Sequence, residues 1–359
     1  MLGSRVRAPK GAQRTEFRIE LRFVCLIEIM KLTKFIKEWM LPIAMMVGAA
    51  AYLVYHFLLP EVVHEAGPVL EKTVATLQPL LIFAMLFLTF CRIEPRELKP
   101  HRWHWWLLLI QGGTFVLLGI AAALIRNHLP GNSDWTVLIE SAMLCLICPT
   151  ATAAAVVIRK LGGDVASITT YTIIINLLVS ILVPAIVPLV QPSDGMIFFH
   201  AFSLILAKVF PLLILPCFAA WLVRYLLPAL HSRILSYPDL AFQIWSVSLA
   251  LAIAVTVKAI VHSSLSLLLL VGIAVISLLC CIFQFWAGHK IGHSYGHIPG
   301  HCDNSITAGQ AIGQKNTVFA IWMGYTFLTP ETSIVGGFYS IWHNIYNSWQ
   351  IHRHEIRRA

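Results

Sequence analysis

The chain is short of charge. Of its 359 residues only 12% are Asp, Glu, Lys or Arg, where a soluble domain carries about a quarter. That scarcity excludes an ordinary soluble globular protein. Other absences narrow the function. There is no G-x-S-x-G, no H-E-x-x-H and no pair of aspartates inside an apolar run, so no enzyme is expected. Residues 1–35 are polar and basic, without a compact apolar stretch before a small-residue cleavage site, so no secretory signal is expected. This tail includes "MLGSRVRAPKGAQR", which has the look of a disordered segment, and Met30 offers a plausible shorter start. The net charge of +9 is not gathered on an aromatic-interleaved basic face, which argues against nucleic acid as a partner. Eight cysteines are scattered, mostly in apolar runs. Cys145 and Cys148 form a C-x-x-C with no second pair, and they are expected to be small helix residues, with no metal and no cofactor.

What is present is hydrophobicity. Apolar residues make up 58% of the chain, and the mean hydropathy is +0.77. Runs of about 18 or more apolar residues are expected to span a bilayer. Ten are visible, at 39–59, 77–93, 103–126, 135–158, 165–190, 199–227, 239–260, 264–287, 302–328 and 332–350. The expected fold is therefore an all-α polytopic membrane protein with ten transmembrane helices. One set of loops carries Arg92, Arg96, Lys99, Arg102, Arg159, Lys160, Arg233 and Lys290, while the opposite set carries Glu61, Glu65, Glu71, Asp134, Asp194 and Glu331. By the positive-inside rule both termini are cytoplasmic, as an even number of spans requires. A plasma (inner) membrane location is expected.

Two spans are unlike the others. The fourth contains "CLICPTATAAAVV", where Pro149 lacks a backbone donor and disfavours helix before it. The ninth contains "GQAIGQKN", with Gly309, Gly313, Gln314 and a charged Lys315. Each is the fourth span of a five-span half, 39–190 and 191–350, flanked by tails at 1–38 and 351–359. Interrupted segments at matching places in two halves are the sign of an inverted-repeat transporter. The breaks are expected near Pro149–Thr152 and Gly309–Gly313, crossing each other. Their unwound backbone needs partners inside protein or a wet cavity. Each break admits a plainer explanation: Pro149 an ordinary kink, Lys315 a snorkelling structural charge. Thr150, Thr152 and Gln314 either bond backbone carbonyls or meet a ligand. Glu140 is placed near the wet end of its span. The glycine-rich "GHKIGHSYGHIPGHCD", with His289, His293, His297 and His301, is expected to be a solvated loop; on a helix the imidazoles would share a face.

At these residues the chain resembles the bile acid:sodium symporter family. The segments that carry the likeness are "CPTATAAAVVIRKLGGDVAS", "GQKNTVFAIWMGYTF", "YSIWHNIYNS" and "PLLIFAMLFLTFCRIEPREL", in the family's order. The resemblance implies a core domain of helices 3–5 and 8–10, with two crossing broken helices, and a panel domain of helices 1, 2, 6 and 7. It implies transport of organic anions, often with two sodium ions. Gln111 and Thr172 match sodium-site positions; Thr152, Asn316, His343 and Asn344 match positions facing the substrate cavity. The last two are otherwise interhelical glue. Several sodium ligands are replaced: Ala154 and Ala155 stand for Ser-Asn, Ile168 for a serine, Ala311 for the shared glutamate and Lys315 for a glutamine. A hard cation takes oxygen ligands, and these side chains supply none.

The reading that follows is a secondary transporter for a small or amphipathic organic anion, sodium-independent, with Lys315 standing in for an ion. Thr150, Thr152, Asn316, His343 and Asn344 would meet substrate, and Gln111, Thr172, Gln314 and Lys315 would occupy the cation-site equivalents. Protons are a candidate co-substrate. The alternatives are a sodium symporter with rebuilt sites, or a membrane sensor that binds without transporting.

Overall fold

In lipid the backbone has no water to bond, so long apolar stretches fold into helices that satisfy their own N–H and C=O groups. The structure, a computed structural model, describes residues 42–126, 134–192, 197–237, 240–263, 265–295 and 304–358. Its elements are helical. In chain order they are α1 (Pro42–Leu58), α2 (Pro60–Cys91), α3 (Arg102–Arg126), α4 (Asp134–Ile147), α5 (Ala154–Lys160), α6 (Val165–Val190) and α7 (Phe198–Leu226). There follow α8 (Pro228–Leu235), α9 (Leu240–His262), α10 (Leu267–Ser294), α11 (Asn304–Gly313), α12 (Thr317–Phe327) and α13 (Ile334–Arg358). Among the described residues six helices are long and apolar enough to cross a membrane: those of α2, α3, α6, α7, α9 and α10.

The distribution of side chains is inverted relative to a soluble protein. Leu268 is 82% exposed, Phe199 75% and Met46 70%, whereas Gln310 is 0%, Gln111 1% and Lys315 2%. Such a belt of large apolar side chains needs a hydrocarbon surround. The chain is an integral membrane protein.

Packing divides the helices by neighbourhood. α2 lies against α7 and α9, while α3 packs on α4 and α6, and α10 on α4, α11 and α13. Small residues allow the closest approaches, as helices in lipid require. A Cβ at Gly48 would fall 2.1 Å from the Ala250 carbonyl oxygen of α9. One at Gly288 would fall 2.5 Å from Ala308 O, and one at Gly292 2.4 Å from Asn304 O.

These contacts correct two expectations. Gly309 and Gly313 do not break the ninth span; both belong to α11, and the interruption falls at Gln314–Asn316. The glycines serve packing instead, since a Cβ at Gly313 would meet the Phe285 ring at 2.5 Å. The first part of the glycine–histidine stretch is not a loop, because α10 runs on to Ser294 and includes His289 and His293. Its glycines are held helical by the contact with α11, which outweighs their low propensity. His297 and His301 lie outside the described residues. Glu140, near the start of α4, is enclosed by protein rather than exposed, at 0%. Its carboxylate accepts from Gln191 Nε2 at 2.6 Å, Thr332 Oγ1 at 2.8 Å, the Thr329 backbone N–H at 3.1 Å and the Thr329 hydroxyl. It ties α4 and the end of α6 to the short 3₁₀ turn Pro330–Ser333 before α13.

Candidate functional site

α4 stops where Pro149 dictates. The last helical bond is Cys148 N to Leu144 O at 3.1 Å, and residues 148–153 are non-helical. α11 stops after Gly313 and α12 begins at Thr317. The two interruptions lie against each other as an antiparallel bridge between Thr150 and Lys315. Ala151 N–H donates to Gln314 O and Asn316 N–H to Pro149 O, both at 2.8 Å. Each break thus supplies backbone partners for the other, which is how irregular backbone survives away from water.

A helix end leaves four carbonyls without intrahelical partners. At α4 every one is taken by another element. Gln284 Nε2 donates to Cys145 O at 3.2 Å, Lys315 Nζ to Leu146 O at 3.2 Å, and Gln111 Nε2 to Ile147 O at 3.0 Å and Cys148 O at 2.8 Å. Lys315 Nζ therefore sits at the negative end of the α4 dipole, where a cation is favoured. Among the described residues Lys315 has no carboxylate within ion-pair distance; the one such pair is Lys258–Glu71 at 2.5 Å. Lys315 stands two residues beyond the ten-residue α11, about 15 Å of helix from its start. That length is about half the thickness of a bilayer's hydrocarbon core.

The α11 terminus is finished in the same manner. Thr150 Oγ1 donates to Ala311 O at 2.6 Å and Tyr339 OH to Gly313 O at 2.8 Å. Asn316 caps α12, its Oδ1 accepting from Phe319 N–H at 3.2 Å, and Cys148 Sγ lies 2.9 Å from Asn316 O.

The sequence-predicted residues are divided by this geometry. Gln111, Thr150, Gln314, Lys315 and Asn316 meet at the crossing, and Thr152 is half-buried just before α5. Thr172, on α6, donates its hydroxyl to Ile168 O of its own helix at 2.9 Å. Asn344 is likewise occupied, donating to Ser340 O at 2.8 Å. His343 is 1% exposed with neither ring nitrogen bonded. Ala154, Ile168 and Ala311 are each at most 1% exposed, so apolar side chains fill those places.

Three participants were missed. Tyr171 donates to Gln111 Oε1 at 2.9 Å and so orients that amide. Gln284 reaches both Cys145 O and Tyr339 OH, the latter at 3.1 Å. Tyr339 closes α11. Gln284 could have been found as the one amide in the apolar run "LLCCIFQFWAG"; the tyrosines carried no such mark. An apolar groove of 280 Å³ between α1, α9 and α13 includes Met45, Ile253, Ile334 and Phe338, with Thr256 the polar member of its lining, and offers a charged group little.

Residues 39–331 match the SBF-like CPA transporter family, whose transporters are of the bile acid:sodium symporter-like kind. No curated protein gives a significant match to the chain.

Proposed function

The chain belongs to the SBF-like CPA transporter family, and from that membership we propose that it is a secondary transporter of a small or amphipathic organic anion, working by alternating access without sodium. The observation that carries the proposal is Lys315 Nζ bonded to Leu146 O at the end of α4. A fixed positive charge at that carbonyl terminus does electrostatically what a bound cation would do, and it repels a second one. The replacements at Ala154, Ile168 and Ala311 favour the same reading, since buried methyl groups ligate no ion. A sodium site rebuilt from the α4 carbonyls is disfavoured because those oxygens already have donors.

The reading includes ten spans in two inverted five-helix repeats, with α4–α5 and α11–α12 as the broken fourth members and both termini cytoplasmic. Recurring contacts support it. Glu140 of α4 bonds the turn between α12 and α13; Thr307 of α11 accepts from Asp164 N–H in the turn between α5 and α6, at 3.2 Å. A tyrosine of α6 meets a glutamine of α3, and a tyrosine of α13 meets a glutamine of α10. Exchanging the halves maps each contact onto the other.

Substrate is placed at the crossing, with Thr152, Asn316 and His343 as contacts. The test is uptake of carboxylates and sulfonates by proteoliposomes, with sodium exchanged for another cation at constant ionic strength and pH. Uptake of one of these anions unchanged by the exchange is expected. Steep dependence on sodium would overturn the account of Lys315, and binding without uptake would make the protein a sensor.

A further inference from the structure

Among the described residues, seven of the fifteen buried polar side-chain atoms without a partner lie along one seam. α13 carries Tyr339, His343, Asn347, Gln350 and His354, spaced four, four, three and four residues apart, which is a stripe along one helix face. Two of them fix where the stripe points. Tyr339 OH donates to Gly313 O at 2.8 Å, and Asn347 Oδ1 accepts from Gln310 Nε2 at 2.8 Å. His343 lies one turn from each on the same face, its ring 5.7 Å from that of Tyr339. It therefore faces α11.

Along this seam His343 Nδ1 and Nε2, Asn347 Nδ2, Gln310 Oε1, Gln314 Oε1 and Gln284 Oε1 have no hydrogen-bond partner. All belong to residues at most 5% exposed. Donors and acceptors are both represented. Turning the Gln310 amide gives no relief, because its nitrogen already serves Asn347 Oδ1 at 2.8 Å and Gln350 Oε1 at 2.6 Å. Buried polar atoms that protein leaves unpaired are where internal water is held, and water answers both kinds.

The seam has two ends. Toward the carboxy terminus Gln350 Nε2 lies 3.1 Å from His289 Nε2 and 3.2 Å from Tyr346 OH. Beyond it the half-buried His354 has an unpartnered Nε2 beside the exposed His352 and Arg353. Toward the crossing Gln284 bonds Cys145 O, and the next carbonyl along α4, Leu146 O, receives Lys315.

We propose that this seam between α10, α11 and α13, closed around its unpartnered atoms in this structure, parts to admit water, forming a half-channel from the carboxy-terminal end of α13 to the level of Lys315. Its ligand is water, and the proposal does not depend on which anion is carried or on sodium.

The experiment is accessibility to a small charged methanethiosulfonate, in a background whose native cysteines are replaced by serine or alanine. A thiol reacts only where water lets it ionise. His343→Cys and Asn347→Cys should react from the membrane face bearing the carboxy terminus, at least about tenfold faster than Ile345→Cys, whose parent side chain is 58% exposed on the outer surface. Equal rates, or reaction from the opposite face alone, would overturn the proposal. Hydroxyl-radical footprinting of the unaltered protein is a second measurement that needs no variant. Tyr339 and His343 should be labelled by radicals made from adjacent water; their protection, alongside labelling of exposed His352, would overturn it equally.

Discussion

Replacing Lys315 with glutamine separates a functional charge from a structural one. The lysine's ammonium is removed from the α4 terminus, and Leu146 O loses the donor now 3.2 Å away. A charge-assisted hydrogen bond of this kind contributes about 1.5–3 kcal/mol, and the dipole interaction up to about 2 kcal/mol in a buried setting. Against that loss stands the penalty of holding a lysine at bilayer depth, about 2.5–3.5 kcal/mol on the insertion scale. The terms nearly cancel, so Lys315→Gln should change stability by only about 1 kcal/mol in either direction. Transport should suffer far more, because the charge that organises the crossing is gone. Sodium should not restore it, since Ala154, Ile168 and Ala311 still offer no side-chain oxygen. The assay pairs thermal unfolding in detergent with anion uptake in proteoliposomes. A loss of stability as large as that from breaking the Glu140 cluster, with the residual uptake otherwise normal, would refute the reasoning and make Lys315 a structural residue.

The Glu140 cluster sets the scale for that comparison. Glu140→Ala removes the shared acceptor of four donors from Gln191, Thr329 and Thr332, of which the Thr329 and Thr332 hydroxyls keep each other, and should cost about 2–4 kcal/mol in thermal or denaturant unfolding; a loss under about 1 kcal/mol would show the cluster to be slack. Gly288→Leu should separate α10 from α11, because even a Cβ there lies 2.5 Å from Ala308 O; a destabilisation above about 3 kcal/mol is expected, and wild-type melting behaviour would contradict the packing. Gln111→Leu strips two donors from the α4 terminus, at Ile147 O and Cys148 O, and should destabilise by about 2–4 kcal/mol, more than Tyr171→Phe, which removes one bond to that amide. Thr152→Val and Asn316→Ala should each weaken binding of the transported anion in a ligand-dependent thermal-shift titration, and Asn316→Ala should also cost about 1 kcal/mol for the lost α12 cap; unchanged affinity in both would move the site elsewhere.

Much of this protein was determined by one-dimensional facts. Apolar run length decides which segments enter lipid, because burial of the backbone in hydrocarbon tolerates few alternatives to a helix. Pro149 decides where α4 ends, since a missing N–H and a crowded preceding residue act locally. The unusual placement of Lys315 marked the crossing for the same reason: a charge inside an apolar run is costly wherever the neighbours lie. What only the tertiary structure decided is the partner of each polar group. Gly309 and Gly313 look like helix breakers by propensity, yet the close approach of α10 keeps them helical and shifts the break to Gln314–Asn316. Glu140 looks like a surface carboxylate at a helix start, yet Thr329 and Thr332, remote in the chain, enclose it. Gln111 and Gln284 are distant glutamines that converge on one helix end, and Tyr171 shows no sequence mark of its place beside Gln111. Hydrogen-bond satisfaction in a membrane interior is settled by distance and angle between separate helices, and no spacing along a single chain records it.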